Sequence, residues 1–162
     1  MSTIIIFSTR HGATKKCAEL LKYKLIGAVT ADLKENSKID LSSYATVVLG
    51  GSVQAGRVKS ELKKFCAKRK DELLKKKLGL FICCMAEGKK AEDEIKANFP
   101  PELYEKAVAK DWFGGIFDFT RMNFIEKFII GKVAKVKESV FKINGIYAEN
   151  SNYALKLSEE II

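Results

Sequence analysis

The sequence contains few of the features that define membrane, zinc-binding or secreted proteins. No apolar run approaches the roughly 20 residues that a membrane-spanning helix needs. There is one histidine, and the four cysteines show no C-x-x-C spacing, so no metal site is expected. The N-terminus enters an apolar run at once, without a charged segment and a cleavage site, so we expect no signal peptide. These absences predict a cytoplasmic protein with free thiols.

Acidic residues are also scarce relative to basic ones. The 162 residues include 29 Lys and Arg against 20 Asp and Glu, which gives a net charge of +9. Such a charge attracts acidic proteins, anionic membrane surfaces or nucleic acids. Nucleic acid is the least favoured partner, because no binding motif with interleaved aromatic residues is present. The length and the hydrophobic content of 47% predict one domain over residues 1–162.

The most informative stretch covers residues 3–14. Ile4 to Phe7 is an unbroken run of strand-forming apolar residues, which is typical of a buried parallel strand. From about Ala13, apolar residues recur at helical spacing. The polar loop between them can direct backbone N–H groups and the helix dipole at an anion, and phosphate is the natural candidate. The candidate phosphate-binding residues are Ser8, Thr9, Arg10, His11, Gly12, Ala13 and Thr14.

This loop is neither of the two common nucleotide-binding motifs. No Gly-Lys-Ser/Thr follows it, as a Walker loop requires, and G-x-G-x-x-G is absent. A polar turn between a strand and a helix, with no ligand, is the alternative interpretation.

Strand and helix patterns alternate through the first 113 residues. Further strands are predicted at about 28–33, 45–49, 78–84 and 107–113. Helices are predicted at about 13–25, 58–74, 91–98 and 101–107. The alternation predicts an α/β fold with a doubly wound parallel sheet. Within it, Cys83 and Cys84 should point to opposite faces of a strand, while Trp112 and Phe113 are expected in the core.

Two more loops follow buried strands and should lie at the same sheet edge as the first. Ligands of such sheets bind beyond the carboxyl ends of the strands, where the strand order reverses. The first of these turns is expected at residues 50–57, where three glycines and a serine allow close approach of a ligand. Candidate ligand-binding residues of the two loops are Gly51, Ser52, Val53, Gln54, Ala55 and Gly56, and Cys84, Met85, Ala86, Glu87 and Gly88. No catalytic residue is identified.

The three loops together resemble those of the flavodoxin family. Ser8 to Thr14 is similar to the hydroxyl-rich loop that holds the FMN phosphate in that family. The resemblance covers about residues 2–113 and implies five strands in the order 2-1-3-4-5, with FMN as the cofactor. Ser52 to Gly56 and Met85 to Gly88 would then flank the isoalloxazine ring. These loops lack the aromatic side chain that many flavodoxins stack on the ring, and the aromatic pair at 112–113 in the fifth strand is the alternative source of one, although core packing is the favoured use of that pair.

A closer resemblance extends to one branch of the family. Phe7 to Thr14 and Val48 to Arg57 look like the corresponding stretches of flavodoxin-type, quinone-linked protoporphyrinogen oxidases. Those proteins are also basic and carry a late helical insertion, which is expected here at about 120–139, followed by a strand at 143–147 and a helix at 151–162. Residues 121–137 combine apolar residues at helical spacing with lysines, which is typical of a helix at a membrane interface or of one that packs on its own domain.

Three functions remain open from the sequence. The first is an FMN-dependent oxidoreductase that passes electrons from a hydrophobic donor to a quinone, with peripheral contact to the inner face of the membrane through residues 121–137. The second is a flavodoxin-like electron carrier without a substrate of its own, which docks to a redox partner. The third is a flavin-free relative whose loops bind another phosphate ligand or none.

Overall fold

In a computed structural model, residues 2–114 are described and form five strands and five helices. The strands are β1 (Thr3–Ser8), β2 (Val29–Asp32), β3 (Thr46–Ser52), β4 (Lys77–Cys84) and β5 (Ala109–Gly114). The helices are α1 (Ala13–Lys24), α2 (Ser60–Lys68), α3 (Lys70–Leu73), α4 (Gly88–Asn98) and α5 (Pro101–Lys106). The features predicted at 120–139, 143–147 and 151–162 lie outside the described residues.

The five strands form one parallel sheet in the order β2-β1-β3-β4-β5. This confirms the predicted doubly wound α/β fold. The three middle strands are buried along nearly their whole length, because their apolar residues serve both faces of the sheet. Side chains of α2, α3, α4 and α5 pack on one face, and α1 packs on the other.

Side chains of β4 and β5 show how tightly the two faces are packed. Cys83 faces the core under α1 and Cys84 faces the opposite core, as predicted. The ring of Phe81 lies directly over Gly50 of β3, where an added Cβ would come within 2.0 Å of the ring. Phe81 also meets Phe113 edge to face, with the ring centroids 5.3 Å apart. Phe113 is fully buried and Trp112 packs against the other core, so both have the expected core role.

Three predicted boundaries were wrong. Residues 50–52 belong to β3 rather than to a turn, because Gly50 leaves space for Phe81 and Gly51 leaves space for Leu62. The helix predicted at 58–74 is two helices, α2 and α3, separated at Arg69. The guanidinium of Arg69 donates hydrogen bonds to Glu72 and to the carbonyl of Ile39, which hold this residue between the two helices. Gly88, predicted in a loop, is the first residue of α4.

Candidate cofactor site

Three loops lie together at the carboxyl edge of the sheet. We call them the β1 loop (residues 9–12), the β3 loop (residues 53–59) and the β4 loop (residues 85–87) after the strands that they follow. The strand register places Ser8 beside Gly51, and Ser52 beside Cys83, so the loops begin at neighbouring points. The structure therefore brings the three predicted stretches to one edge, around the β1–β3 boundary where the strand order reverses.

The β1 loop turns the chain sharply into α1. Gly12 has a φ of 87°, which favours glycine, and its N–H donates to the hydroxyl oxygen of Thr9 at 3.0 Å. The helix that follows has no side-chain cap and no acidic residue in its first turn. Its first N–H groups and the positive end of its dipole are thus presented to the loop, which is an arrangement that suits an anion.

Among the residues of this loop region, Thr14 gives the strongest indication of a bound ligand. Its side chain is fully buried, yet within residues 2–114 its hydroxyl has no hydrogen-bond partner. A buried hydroxyl without a partner costs about 1–3 kcal/mol, so native proteins rarely leave one. A phosphate oxygen at the start of α1 would accept its hydrogen bond. Ser8, His11 and Ala13 are buried as well. This donor set fits the phosphate of FMN.

The β3 loop contains a tight turn. Gln54 and Arg57 exchange two backbone hydrogen bonds, of 2.9 and 3.0 Å, across Ala55 and Gly56. Both of these central residues have positive φ, 48° at Ala55 and 75° at Gly56, as in a type I′ turn. Ala55 and Gly56 are exposed at the tip, while Val53 packs against the core.

Asn98 holds the β3 loop in place, and its role was not predicted. Its side-chain oxygen accepts a hydrogen bond from the N–H of Val58 at 2.9 Å, and its amide group donates to the carbonyls of Gly56 and Glu94, each at 2.9 Å. The side chain is buried at the end of α4. The position of Asn98 between the apolar residues Ile95 and Phe99 is the sequence feature that could have indicated this role. A polar side chain that is buried among apolar ones needs hydrogen-bond partners.

Direct contacts join the loops to one another and to the sheet. Arg10 donates a hydrogen bond from its guanidinium to the side-chain oxygen of Gln54 at 3.0 Å, which links the β1 and β3 loops. The N–H of Val53 donates to the carbonyl of Cys83 at 2.9 Å. Arg10 thus places a positive charge between the loop predicted to bind phosphate and the loop predicted to flank the ring.

The β4 loop supplies backbone and small side chains. Met85 and Ala86 are half-buried, whereas Glu87 and Gly88 are exposed. Cys84 points into the core instead, and its thiol donates to the carbonyl of Ala86 at 3.5 Å. Burial raises the pKa of Cys84 to about 12, so this thiol stays protonated. Cys84 can therefore contribute only its backbone to a ligand in this loop.

The other cysteines are buried as well, and all four are free. Cys83 donates a weak hydrogen bond to Cys17, with their sulfurs 3.5 Å apart, and this contact together with burial raises the pKa of Cys17. Burial raises the pKa of Cys66 to about 12. Protonated, buried thiols are poor nucleophiles, which agrees with the predicted packing role. No cluster of three potential metal ligands occurs in residues 2–114.

The sheet order, with three loops at the edge where that order reverses, defines a flavodoxin-like protein. The family model of the flavodoxin domain matches residues 4–142, so the chain belongs to the flavodoxin family. This membership confirms the predicted family and supports FMN as the cofactor and electron transfer as the function. No curated protein sequence matches the chain significantly.

Solved structures show the same fold at low sequence identity. Oxidised flavodoxin 2 from Bacillus cereus is 17% identical, with a TM-score of 0.60 and 99% of each chain covered. A flavodoxin-type, WrbA-like protein from Agrobacterium tumefaciens is 12% identical, with a TM-score of 0.57 and coverage of 98% of this chain and 95% of that one. The comparisons give no evidence for the closer resemblance to protoporphyrinogen oxidases. No helix within residues 2–114 is long and apolar enough to cross a membrane.

Proposed function

We propose that this protein is an FMN-dependent electron carrier that holds the FMN phosphate between the β1 loop and the first turn of α1. The unpartnered, buried hydroxyl of Thr14 supports this proposal most directly, because an anion at the start of α1 would satisfy it. FMN, when bound, supplies the redox chemistry, and the protein provides binding, orientation and electrostatics.

Each loop then has a distinct role. In the β1 loop, Thr9 shapes the turn by accepting the Gly12 N–H and keeps its own hydroxyl proton to donate. Ser8 and Thr14 add hydroxyl donors, and Arg10 adds a charge that favours a phosphate dianion. The candidate residues of the β3 and β4 loops flank the ring, with Val53 and Met85 as apolar contacts. The exposed tip at Ala55 and Gly56 leaves this edge accessible to a partner.

Comparing FMN with riboflavin tests the phosphate site. We expect FMN to bind at least about 100-fold more tightly, because several charge-assisted hydrogen bonds of about 1.5–3 kcal/mol each depend on the phosphate. Thr14→Val should weaken FMN binding about tenfold by the loss of one such bond, leave riboflavin binding unchanged, and stabilise the FMN-free protein by about 1 kcal/mol. Fluorescence titration and urea unfolding measure the two effects.

Thr46→Val is the matched control, because Thr46 is also buried but begins β3 at the opposite edge of the sheet. It should leave the preference for FMN intact. Equal affinity for FMN and riboflavin in the wild-type protein would refute the phosphate site.

A second candidate, the quinone-linked oxidoreductase, rests on the basic amphipathic pattern of residues 121–137. An enzyme that reduces a lipophilic quinone has to reach the bilayer, and each lysine near an anionic surface contributes about 1 kcal/mol. We therefore expect this enzyme to sediment with anionic liposomes, and less as salt rises. Replacing Lys127, Lys132, Lys135 and Lys137 with Glu should release it without loss of FMN binding. If the wild-type protein does not sediment with anionic liposomes at low salt, the quinone-linked enzyme is refuted and the electron carrier stands as the function.

A further inference from the structure

One strongly basic segment of this protein begins beside the candidate cofactor site. Residues 57–77 contain ten basic and three acidic residues, a large share of the net charge of +9. They follow the turn of the β3 loop and include α2 and α3. Because α2 begins directly after the β3 loop, its first turn lies at the sheet edge that carries the site.

Four of these basic side chains have no acidic partner within residues 2–114. Arg57, Lys63, Lys64 and Lys68 are exposed, and we call them the α2 basic surface. Neighbouring basic residues are compensated instead: Lys70 contacts Glu102 at 2.6 Å, and Arg69 contacts Glu72 at 2.6 Å. The uncompensated charges therefore extend from the β3 loop to the last residue of α2, over about 12 Å of helix.

The chemistry of this surface favours a protein partner over a membrane. The apolar residues of α2, Leu62, Phe65 and Cys66, are buried in the core. The exposed large hydrophobic side chains of residues 2–114, Tyr23, Ile26, Val29 and Val108, all lie on other elements. A membrane-interface helix needs an apolar face to insert, and α2 has none free. Exposed aromatic residues that would stack on nucleic acid bases are also absent from α2.

We propose that the α2 basic surface is the docking site for a small electron-transfer protein with an acidic face. Opposite charges steer such partners into contact and set their orientation, while leaving the complex short-lived enough for turnover. Docking here would place the partner beside the exposed tip of the β3 loop. This inference rests on the proposed function, because the exchange of electrons in the complex requires FMN.

Binding to an acidic redox protein tests the proposal. The probe is an oxidised plant-type [2Fe–2S] ferredoxin of strongly negative charge, titrated by calorimetry against the FMN-loaded full chain. Screening lengths fall from about 30 Å at 0.01 M salt to about 10 Å at 0.1 M, so binding should weaken steeply over that range. Lys64→Glu with Lys68→Glu should weaken binding about tenfold at low salt, since attractive pairs become repulsive ones.

The matched control is Lys22→Glu with Lys24→Glu. Both lysines are exposed in the last turn of α1, on the opposite face of the sheet, and their reversal changes the net charge by the same amount. This control should change ferredoxin binding less than about twofold. Lys64→Gln with Lys68→Gln, which removes charge without reversing it, should give a smaller loss in the same direction and covers the case in which the reversed variant folds poorly.

Three results would overturn the docking proposal: no ferredoxin binding at low salt, equal weakening by the α2 and α1 variants, or tighter α2-dependent binding to anionic vesicles than to ferredoxin. The FMN titration separates these from a failure of the proposed function. Normal FMN binding without ferredoxin docking refutes the docking proposal and leaves the proposed function standing. Ferredoxin docking through α2 by protein that does not bind FMN refutes the carrier function and leaves the acidic-partner surface standing.

Discussion

Asn98 ties the end of α4 to the β3 loop through one side chain. It accepts a hydrogen bond from the N–H of Val58 and donates one to the carbonyl of Gly56, two backbone groups of the β3 loop. Because the side chain is buried, its removal would leave those groups without partners. The β3 loop thus depends on a residue that is 40 positions away from Val58 along the chain.

We expect Asn98→Ala to lower the free energy of unfolding by about 2–4 kcal/mol, as buried groups left without partners cost about 1–3 kcal/mol each. It should also weaken FMN binding, because the loop loses its support. Urea unfolding and hydrogen exchange at the Val58 amide measure the two effects. Lys96→Ala, at an exposed position of the same helix, is the control and should change stability by less than about 0.5 kcal/mol. Unchanged exchange at Val58 in Asn98→Ala would contradict this role.

The sequence was sufficient to identify which loops meet but not how they are held. Thr9, Gly12 and Thr14 follow an unmistakably buried strand, so their position at the sheet edge could be predicted. The contacts of Asn98 with Val58 and Gly56, and that of Arg10 with Gln54, join residues at least 40 positions apart. Such contacts depend on the register of strands and helices, and no local pattern encodes them.

At the scale of the element, the turn at the tip of the β3 loop contains an unusual residue. Ala55 has positive φ, a conformation that costs a residue with a Cβ about 1–2 kcal/mol. Ala55→Gly should therefore stabilise the protein, although part of the gain is offset by the greater freedom of glycine in the unfolded chain. We expect a net gain of about 0.5–1 kcal/mol in thermal or urea unfolding.

Gly27→Ala provides the opposite comparison at a remote turn. Gly27 has a φ of 80° and open space around an added Cβ, so the substitution adds backbone strain alone. It should destabilise the protein by about 1 kcal/mol without changing FMN binding. A loss of stability in Ala55→Gly would show that the positive φ at Ala55 is not strained.

The lengths of the elements were harder to predict than their types. The apolar runs in β1, β3 and β4 predicted buried strands correctly, because such runs are required where both sheet faces are covered. In the sequence, Gly50 and Gly51 favour a turn after the buried strand, because glycine lets the backbone approach a ligand closely. In the structure both glycines belong to β3, and their lack of a side chain leaves space for Phe81 of β4 and Leu62 of α2. The division between α2 and α3 likewise depends on the tertiary contacts of Arg69.

At the scale of the whole molecule, the net charge of +9 should act on the cofactor. Reduction adds negative charge to FMN, and each positive charge about 10 Å away favours this by about 0.4 kcal/mol at the dielectric constant of water. We expect FMN bound here to be reduced at a higher potential than in an acidic flavodoxin, and Arg10→Gln with Arg57→Gln to lower that potential. Potentiometric titration at two salt concentrations measures the effect, which salt should reduce. A potential as low as that of acidic flavodoxins would contradict the prediction.

The contact between Gly50 and Phe81 has a consequence for how this family can diverge. The phenyl ring occupies the volume in which any other side chain at position 50 would begin. A larger residue at 50 is therefore compatible only with a smaller one at 81, and a smaller residue at 81 alone leaves a cavity under α1. We therefore expect near relatives of this protein either to keep both residues or to change both together. The contrary result would be an alignment of near relatives in which residue 50 varies while residue 81 is always phenylalanine. In that case the backbone would have to shift to make room for the side chain at position 50.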